Sequence, residues 1–385
     1  MNAESLYRAL VSAVSLAGDR AVVRVRATYQ PAGGPGSKVF PPTYPTRDGK
    51  QPYVIEHRVV DGQERLDVLL DSAASQANSA EEALLRAHRQ GLVRVPLLEL
   101  RHSGEVEVVL TSLEFPHRYA DAYLRDSVLD GVPFDRSPLG QVMLAASLTD
   151  ATALLRQDPG SLVFGAWNSH RKGRQQKFPR VYASEVVGWD PVEGARNAGR
   201  MDPLNLVGAA KPGKDGGDWE YTPAAEKKVI GERLSEIGHG NIAPNPQHGG
   251  VSITSATRIA TVSLAGLDRI GFGAAPAEAA VAARAVLAAY ALLADRLAFS
   301  GPSLWLRSGC ELVLDDEQLE WVNRGGTTEA FTLTTETAVE LFGLAVGRAA
   351  EKGLALSADT VLLTPSKSLA KAIDFSLTKA EPAGE

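Results

Sequence analysis

The chain has a single cysteine, Cys310. That excludes an internal disulfide framework and any zinc cluster built on cysteines, and it makes a reducing cytoplasm the natural setting. The first residues, Met1-Asn-Ala-Glu-Ser5, lack a basic stretch followed by an apolar core, so no secretory signal is expected. No apolar run stays free of charge for the thickness of a bilayer. Ala274 to Ala298 is interrupted by Glu278, Arg284, Asp295 and Arg296, and it reads as a buried amphipathic helix rather than a membrane span. No internal repeat is visible.

Common catalytic signatures are also missing. Gly33-Gly-Pro-Gly-Ser-Lys38 lacks the phosphate-loop spacing, contains Pro35, and has Val39 where Ser or Thr would hold magnesium. Gly271-Phe-Gly273 precedes a helix, but Pro276 stands where a dinucleotide motif needs its third glycine, so the segment reads as a turn. There is no Gly-x-Ser-x-Gly elbow. His239 and His248 flank a Pro- and Asn-rich loop, with no carboxylate at ligand-like spacing, and two histidines alone make a poor zinc site. Neither a metal site nor a catalytic residue is expected from these patterns, and no cofactor is called for.

What is present starts with size. The 385 residues, 44% hydrophobic and 22% charged, suffice for one large domain or two ordinary ones. Strands and helices follow one another without a regular βαβα alternation, which favours an α+β fold. Ala21 to Tyr29 alternates as a strand, with Arg24 and Arg26 on one face and Val23 and Val25 on the other. Val93 to Leu100 and Val106 to Leu113 read as a hairpin. Val181 to Gly188 and Val251 to Leu264 read as strands, and Leu304 to Leu314 as a strand region. Helices are expected from about Ser72 to Gln90, His117 to Leu129, Pro138 to Arg156, Ala224 to Ile237, Ala277 to Phe299 and Thr335 to Lys352. Residues 30–52 and 189–250 are long and rich in Gly and Pro, and read as functional insertions within one domain spanning 1–385.

The net charge of −6 argues against a generic nucleic-acid binder, but the charge is segregated. Arg20 to Lys50, which includes Lys38, carries six cations against Asp48. Glu311 to Glu340 carries eight acids against Arg324. The richest segment runs from Leu162 to Tyr182. It opens with a strand-like apolar run, Leu162 to Ala166, and continues into a loop with Arg171, Lys172, Arg174, Lys177 and Arg180 and no acid between Pro159 and Tyr182. Trp167, Asn168, His170 and Phe178 are interleaved with the cations. Phosphates need cations and bases need flat surfaces, so this pattern suits single-stranded nucleic acid; a solvated basic loop has the same composition. A second candidate is Asp71-Ser-Ala-Ala-Ser-Gln-Ala-Asn-Ser79, where Ser72, Ser75, Gln76 and Asn78 stand at a helix start suited to a sugar-phosphate backbone; helix capping explains the same residues without a ligand.

Four motifs in order, Asp71-Ser-Ala-Ala-Ser-Gln-Ala-Asn78, Phe115-Pro-His-Arg118, Phe164-Gly-Ala-Trp-Asn-Ser-His-Arg171 and Gly249-Gly-Val-Ser-Ile-Thr254, resemble the backbone subunit of the type I-G (formerly I-U) CRISPR effector complex, a member of the RAMP superfamily. The likeness runs from about Arg20 to Phe272. It implies an RRM-like, ferredoxin-type core with large insertions, one of them a thumb, for which 189–250 is favoured over 30–52. It implies several copies assembled head to tail along one CRISPR RNA, with other effector subunits as partners and target DNA recognised through guide pairing. It also implies a non-catalytic role in a prokaryotic cytoplasm, away from membranes. Arg24, Arg26 and the basic loop would then line the guide groove, with Ser72, Ser75, Gln76 and Asn78 at phosphate or ribose. The competing enzyme reading is a metal-dependent ribonuclease acting on CRISPR or target RNA, using His170 or the His239 and His248 pair.

Overall fold

The computed structural model describes residues 2–15, 18–45, 52–104, 106–169, 176–195, 199, 201–211, 219–223, 231–241, 249–306 and 310–378. The chain opens with helix α1 (Ala3–Ala13), whose first turn is capped by Asn2 accepting from the Ser5 amide at 2.9 Å. Strand β1 (Arg20–Pro31) buries Val23, Val25, Ala27 and Tyr29 and puts Arg24 and Arg26 on its other face, as its alternation predicts. Strand β2 (Lys38–Val39) precedes a hairpin of β3 (Ile55–Val60) and β4 (Gln63–Asp71). Its two-residue turn is Asp61-Gly62, with φ of 52° and 79°, the primed geometry that matches strand twist.

Helix α2 (Ala73–Arg89) leads to β5 (Leu98–Ser103), β6 (Glu107–Thr111), α3 (Ala122–Arg125), β7 (Ser127–Leu129), β8 (Val132–Pro133), α4 (Pro138–Ala145), α5 (Thr152–Gln157) and α6 (Pro159–Val163). The next strands are β9 (Ala166–Asn168), β10 (Gln176–Phe178), β11 (Tyr182–Trp189), β12 (Val192–Glu193), β13 (Ala209–Lys211), β14 (Glu220–Thr222), β15 (Glu232–Arg233), β16 (Val251–Ser252) and β17 (Ala256–Ser263). They are followed by α7 (Leu264–Asp268), α8 (Ala277–Phe299), β18 (Ser303–Leu306), β19 (Cys310–Asn323), β20 (Thr328–Phe331), α9 (Thr335–Ala350), β21 (Val361–Pro365) and α10 (Lys367–Thr378).

The fold is mixed α and β, organised on a curled antiparallel sheet in the order β18-β19-β1-β17-β11-β4-β3, with β20 beside the far half of β19. Along the chain, β1, α2, β11, β17, α8 and β19 follow one another with insertions between them, and their strands stand as β19-β1-β17-β11 in the sheet. Helices α2 and α8 pack on the inner face, and α1 and α9 pack against α8. Helix α8 is apolar on nearly all sides, the pattern of a helix buried all round. By length and composition it would also pass as a membrane span, but here it lies in the core between α2, α9 and the sheet. A second sheet, β6-β5-β21-β7-β8, carries part of the insertion between α2 and β11, and a three-stranded sheet, β14-β13-β15, lies within residues 189–250.

One polar network crosses the core. Arg258 of β17 is fully buried and bonds Asp295 of α8, the Tyr182 hydroxyl at 2.9 Å and Gln76 Oε1 at 3.0 Å, and its guanidinium lies 4.0 Å over the Phe299 ring. Arg296 completes the network by pairing with Asp295 and, in a fork at 2.6 and 2.9 Å, with Glu317.

Several elements depart from the periodicity reading. Leu162 to Ala166 is not a strand. Pro159 occupies the first helical turn and the Asp158 carboxylate accepts from the Ser161 amide, so the run closes as α6 and the strand begins only after Gly165. His117 to Leu129 divides into a single 3-10 turn, the short α3 and β7, because Arg118 takes φ of 52° and Asp121 caps a new start. Pro138 to Arg156 divides into α4 and α5, separated where Ala146 is extended and Asp150 bridges to Phe272. In the stretch from Ala224 to Ile237, Glu232 and Arg233 are a strand and turns follow, while 224–230 lie outside the described residues. Strand β19 runs well past Leu314, and β21 and α10 have no counterpart in the sequence reading.

Candidate nucleic-acid interface

The first site is built where α6 hands over to the hairpin β9–β10. Gly165 sits between them with φ of 83°, and a Cβ there would meet Arg180 Cγ at 2.9 Å and the Phe178 carbonyl at 3.1 Å. Only glycine lets the chain cross so closely at that dihedral. The hairpin register pairs Trp167 with Lys177 and Ala166 with Phe178. Alternation turns the first pair outward and the second inward. Trp167 is 56% exposed, with the Lys177 ammonium 5.9 Å from its ring centroid. Phe178 is buried and meets Tyr119 edge-on at 5.9 Å. The flat side chain available to a base is therefore Trp167, and Phe178 belongs to the core.

Arg118 ties the neighbouring loop to this hairpin. Its guanidinium forks onto Glu81 of α2 at 2.6 and 2.7 Å and donates to the Gly165 carbonyl at 2.9 Å. Burial pushes the Glu81 carboxyl up to about 7, against the opposing pull of Arg118. Below them the buried Asp158 accepts from the Ser161 hydroxyl at 2.7 Å, and Ser161 in turn accepts from the Tyr119 amide at 3.2 Å. Burial raises the Asp158 carboxyl as well. Above this support lies a cleft of about 700 Å³ lined by Pro116, His117, Arg118, Trp167, Lys177 and Arg180. Two of the four sequence motifs, Phe115 to Arg118 and the segment from Phe164, thus meet at one place. Lys177 and Arg180 are exposed cations beside an exposed indole. Asn168 pairs with Gln176 at the hairpin's outer end. His170, Arg171, Lys172 and Arg174 lie outside the described residues.

The helix-start candidates divide. Ser72 caps α2, accepting from the Ser75 amide at 3.3 Å, as the ligand-free reading predicts. Gln76 is 0% exposed, donates to Asp71, and accepts from the Ser184 hydroxyl at 2.8 Å and from Arg258, which makes it part of the core network beneath the cleft. Ser75 and Asn78 do reach a second cleft, of about 670 Å³, whose other wall is β18 with Trp305. Arg86 and Trp305 were not among the sequence candidates. Arg86 shares a helical stripe with Ser75, and Trp305 alternates outward between Leu304 and Leu306; both periodicities are legible once the elements are known.

Arg24 and Arg26 stand on the outer face of the main sheet, away from the helical layer. Arg24 is neutralised by Glu320 of β19 at 2.6 Å, whereas Arg26 is exposed opposite Gln318 and Ile259. Lys38 donates to the Ala195 carbonyl at 2.6 Å, joining β2 to the segment after β12. His239 stands beside Trp219, ring centroids 5.8 Å apart, and His248 lies outside the described residues. Among the described residues no three of His, Cys, Asp and Glu are grouped closely enough to hold a metal ion.

Residues 23–192 match the family model described as CRISPR-associated protein GSU0053. The chain is similar to CRISPR-associated proteins. The matched span is a little under half of the chain, and it contains every described residue that lines the hairpin cleft. No curated protein matches. Among solved structures, one chain described as "CRISPR RNA-guided surveillance complex, pre-nicking" is 13% identical with a TM-score of 0.33, covering 92% of this chain and 99% of the other. Csc2 of Thermofilum pendens is 11% identical with a TM-score of 0.28, covering 93% of this chain and 76% of its own.

Proposed function

We propose that the protein is a CRISPR RNA-binding backbone subunit of a type I RNA-guided DNA-surveillance complex, of the I-G subtype. Several copies assemble along one guide and present it for pairing with target DNA, beside other effector subunits in a prokaryotic cytoplasm. One observation carries the reading: the stretch that matches a CRISPR-associated family model is the stretch that builds the hairpin cleft, with Trp167, Lys177 and Arg180 arranged for a phosphate backbone with stackable bases. The succession β1, α2, β11, β17, α8, β19 with sheet order β19-β1-β17-β11 supports an RRM-like, ferredoxin-type core. The role is structural rather than catalytic, and the insertion carrying β13, β14 and β15 serves as the thumb.

The test is to express the chain with its CRISPR array and neighbouring subunits and to sequence the RNA that copurifies. Discrete repeat-spacer RNAs protected in a large complex are expected. A folded complex that carries no RNA would overturn the reading.

A further inference from the structure

The cleft between α2 and β18 has a chemistry of its own. Ser75, Ser79, Glu82 and Arg86 follow one another at steps of four, three and four residues, which places them on one stripe of α2, with Asn78 flanking it. Facing them, Trp305 projects from the edge strand β18 between the buried Leu304 and Leu306 and is 72% exposed. No other tryptophan among the described residues is as exposed.

Charge decides what such a cleft accepts. Asp71 and Glu82 bring two carboxylates, and Arg86 is the one guanidinium among the described lining residues. It is already paired with Glu82 at 3.6 Å. Two carboxylates against one cation disfavour a phosphate. A broad π surface beside hydroxyl and amide groups favours the face of a nucleobase and the hydroxyls of its ribose. Stacking also tolerates every base, which a guide of varying sequence requires.

We infer that Trp305 is a stacking platform for an unpaired base of single-stranded RNA, the phosphates running outside the cleft. The inference rests on the guide-binding proposal and adds to it a contact beyond residues 23–192, where the family match ends.

Full-length protein is titrated, with fluorescence anisotropy as readout, into a labelled RNA hexanucleotide and into the same backbone lacking its bases. Trp305→Ala should weaken binding of the intact RNA about tenfold, the loss expected for one base–aromatic stack, and leave the abasic backbone unaffected. Trp305→Phe should restore most of the loss. Equal weakening on both ligands, or none on either, overturns the platform while leaving guide binding through the hairpin standing. Wild-type protein that binds neither ligand overturns both. If Trp305→Ala leaves RNA affinity unchanged and alters only the size of the assembly, the indole is a protein contact and the inference fails.

Discussion

At the scale of single residues, two side chains set the hairpin cleft and one glycine permits it. Gly165→Ala would place a Cβ against Arg180 and the Phe178 carbonyl at a positive φ. The left-handed backbone alone costs about 1–2 kcal/mol for a non-glycine residue. We expect a loss of unfolding free energy of at least that size, read as a lower urea midpoint at unchanged slope; an unchanged midpoint would show that the crossing tolerates a Cβ. Lys177 and Arg180 are the described cations free to meet phosphate in that cleft. Each lost phosphate contact on a single strand lowers the log–log salt slope of binding by roughly 0.7. The Lys177→Ala, Arg180→Ala double variant should therefore lose up to about 1.4 from the slope, measured by anisotropy across a salt series. Retention of the full slope would remove the hairpin from the interface.

At the scale of elements, α2 holds both clefts. One stripe along it, Ser75 to Arg86, faces Trp305, and Glu81, on another side, anchors Arg118 beneath the hairpin. The helix begins where it does because Ser72 accepts from the Ser75 amide. Ser72→Ala should cost about 1 kcal/mol of stability, and Ser72→Asp should restore it, since aspartate caps equally well. A large loss of RNA affinity in Ser72→Ala without a change in stability would instead make this hydroxyl an RNA contact. The motif Asp71 to Asn78 illustrates how neighbours in sequence serve different ends. Ser72 caps, Gln76 is buried under Arg258, and Ser75 and Asn78 face solvent in the cleft. A helix turns about 100° per residue, so residues from one short motif cannot all face one ligand.

For the whole molecule, the buried charges set how stability depends on pH. The folded Glu81 carboxyl titrates near 7 because burial penalises its ionised form, above its ordinary 4.5. The folded state therefore binds the proton more tightly than the unfolded chain. This group's contribution falls as pH rises from about 4.5 to about 7, by on the order of 3 kcal/mol. Denaturant melts between those pH values should show the decline in wild type and its absence in Glu81→Gln; a decline that survives the substitution would assign it elsewhere. Asp295 works in the opposite sense. Burial opposes its ionisation, but Arg258 and Arg296 override that and hold it down to about 2. Its contribution is present above about 4 and is lost as pH falls toward 2. Arg258→Met would leave Asp295 with one fewer cation in the core, and removal of one partner of a buried pair typically costs about 3–5 kcal/mol. Near-wild-type thermal stability of Arg258→Met would show that Arg296 alone balances Asp295.

Much was legible from local pattern. The alternation of β1, the buried helix α8 and the capped start of α2 depend on periods and capping chemistry that act within a few residues, and the structure keeps them, though α8 is buried on nearly all sides where the sequence reads as amphipathic. Within the described residues, Lys177 and Arg180 of the basic segment do lie beside Trp167 at the hairpin. What the chain pattern could not settle was decided by tertiary contacts. Phe178 and Trp167 are equivalent aromatics until the hairpin register turns one inward. Arg24 and Arg258 are both strand arginines, yet one is neutralised by Glu320 of the neighbouring β19 and the other is buried against Asp295, 37 residues along the chain. Trp305 and Arg86 lie far apart in sequence and share a cleft only because the curled sheet brings its edge strand alongside α2. Local dihedral preference and amphipathic period are properties of a segment. Which charge finds a partner, and which polar face stays open to a ligand, depends on elements that meet only after the chain has folded.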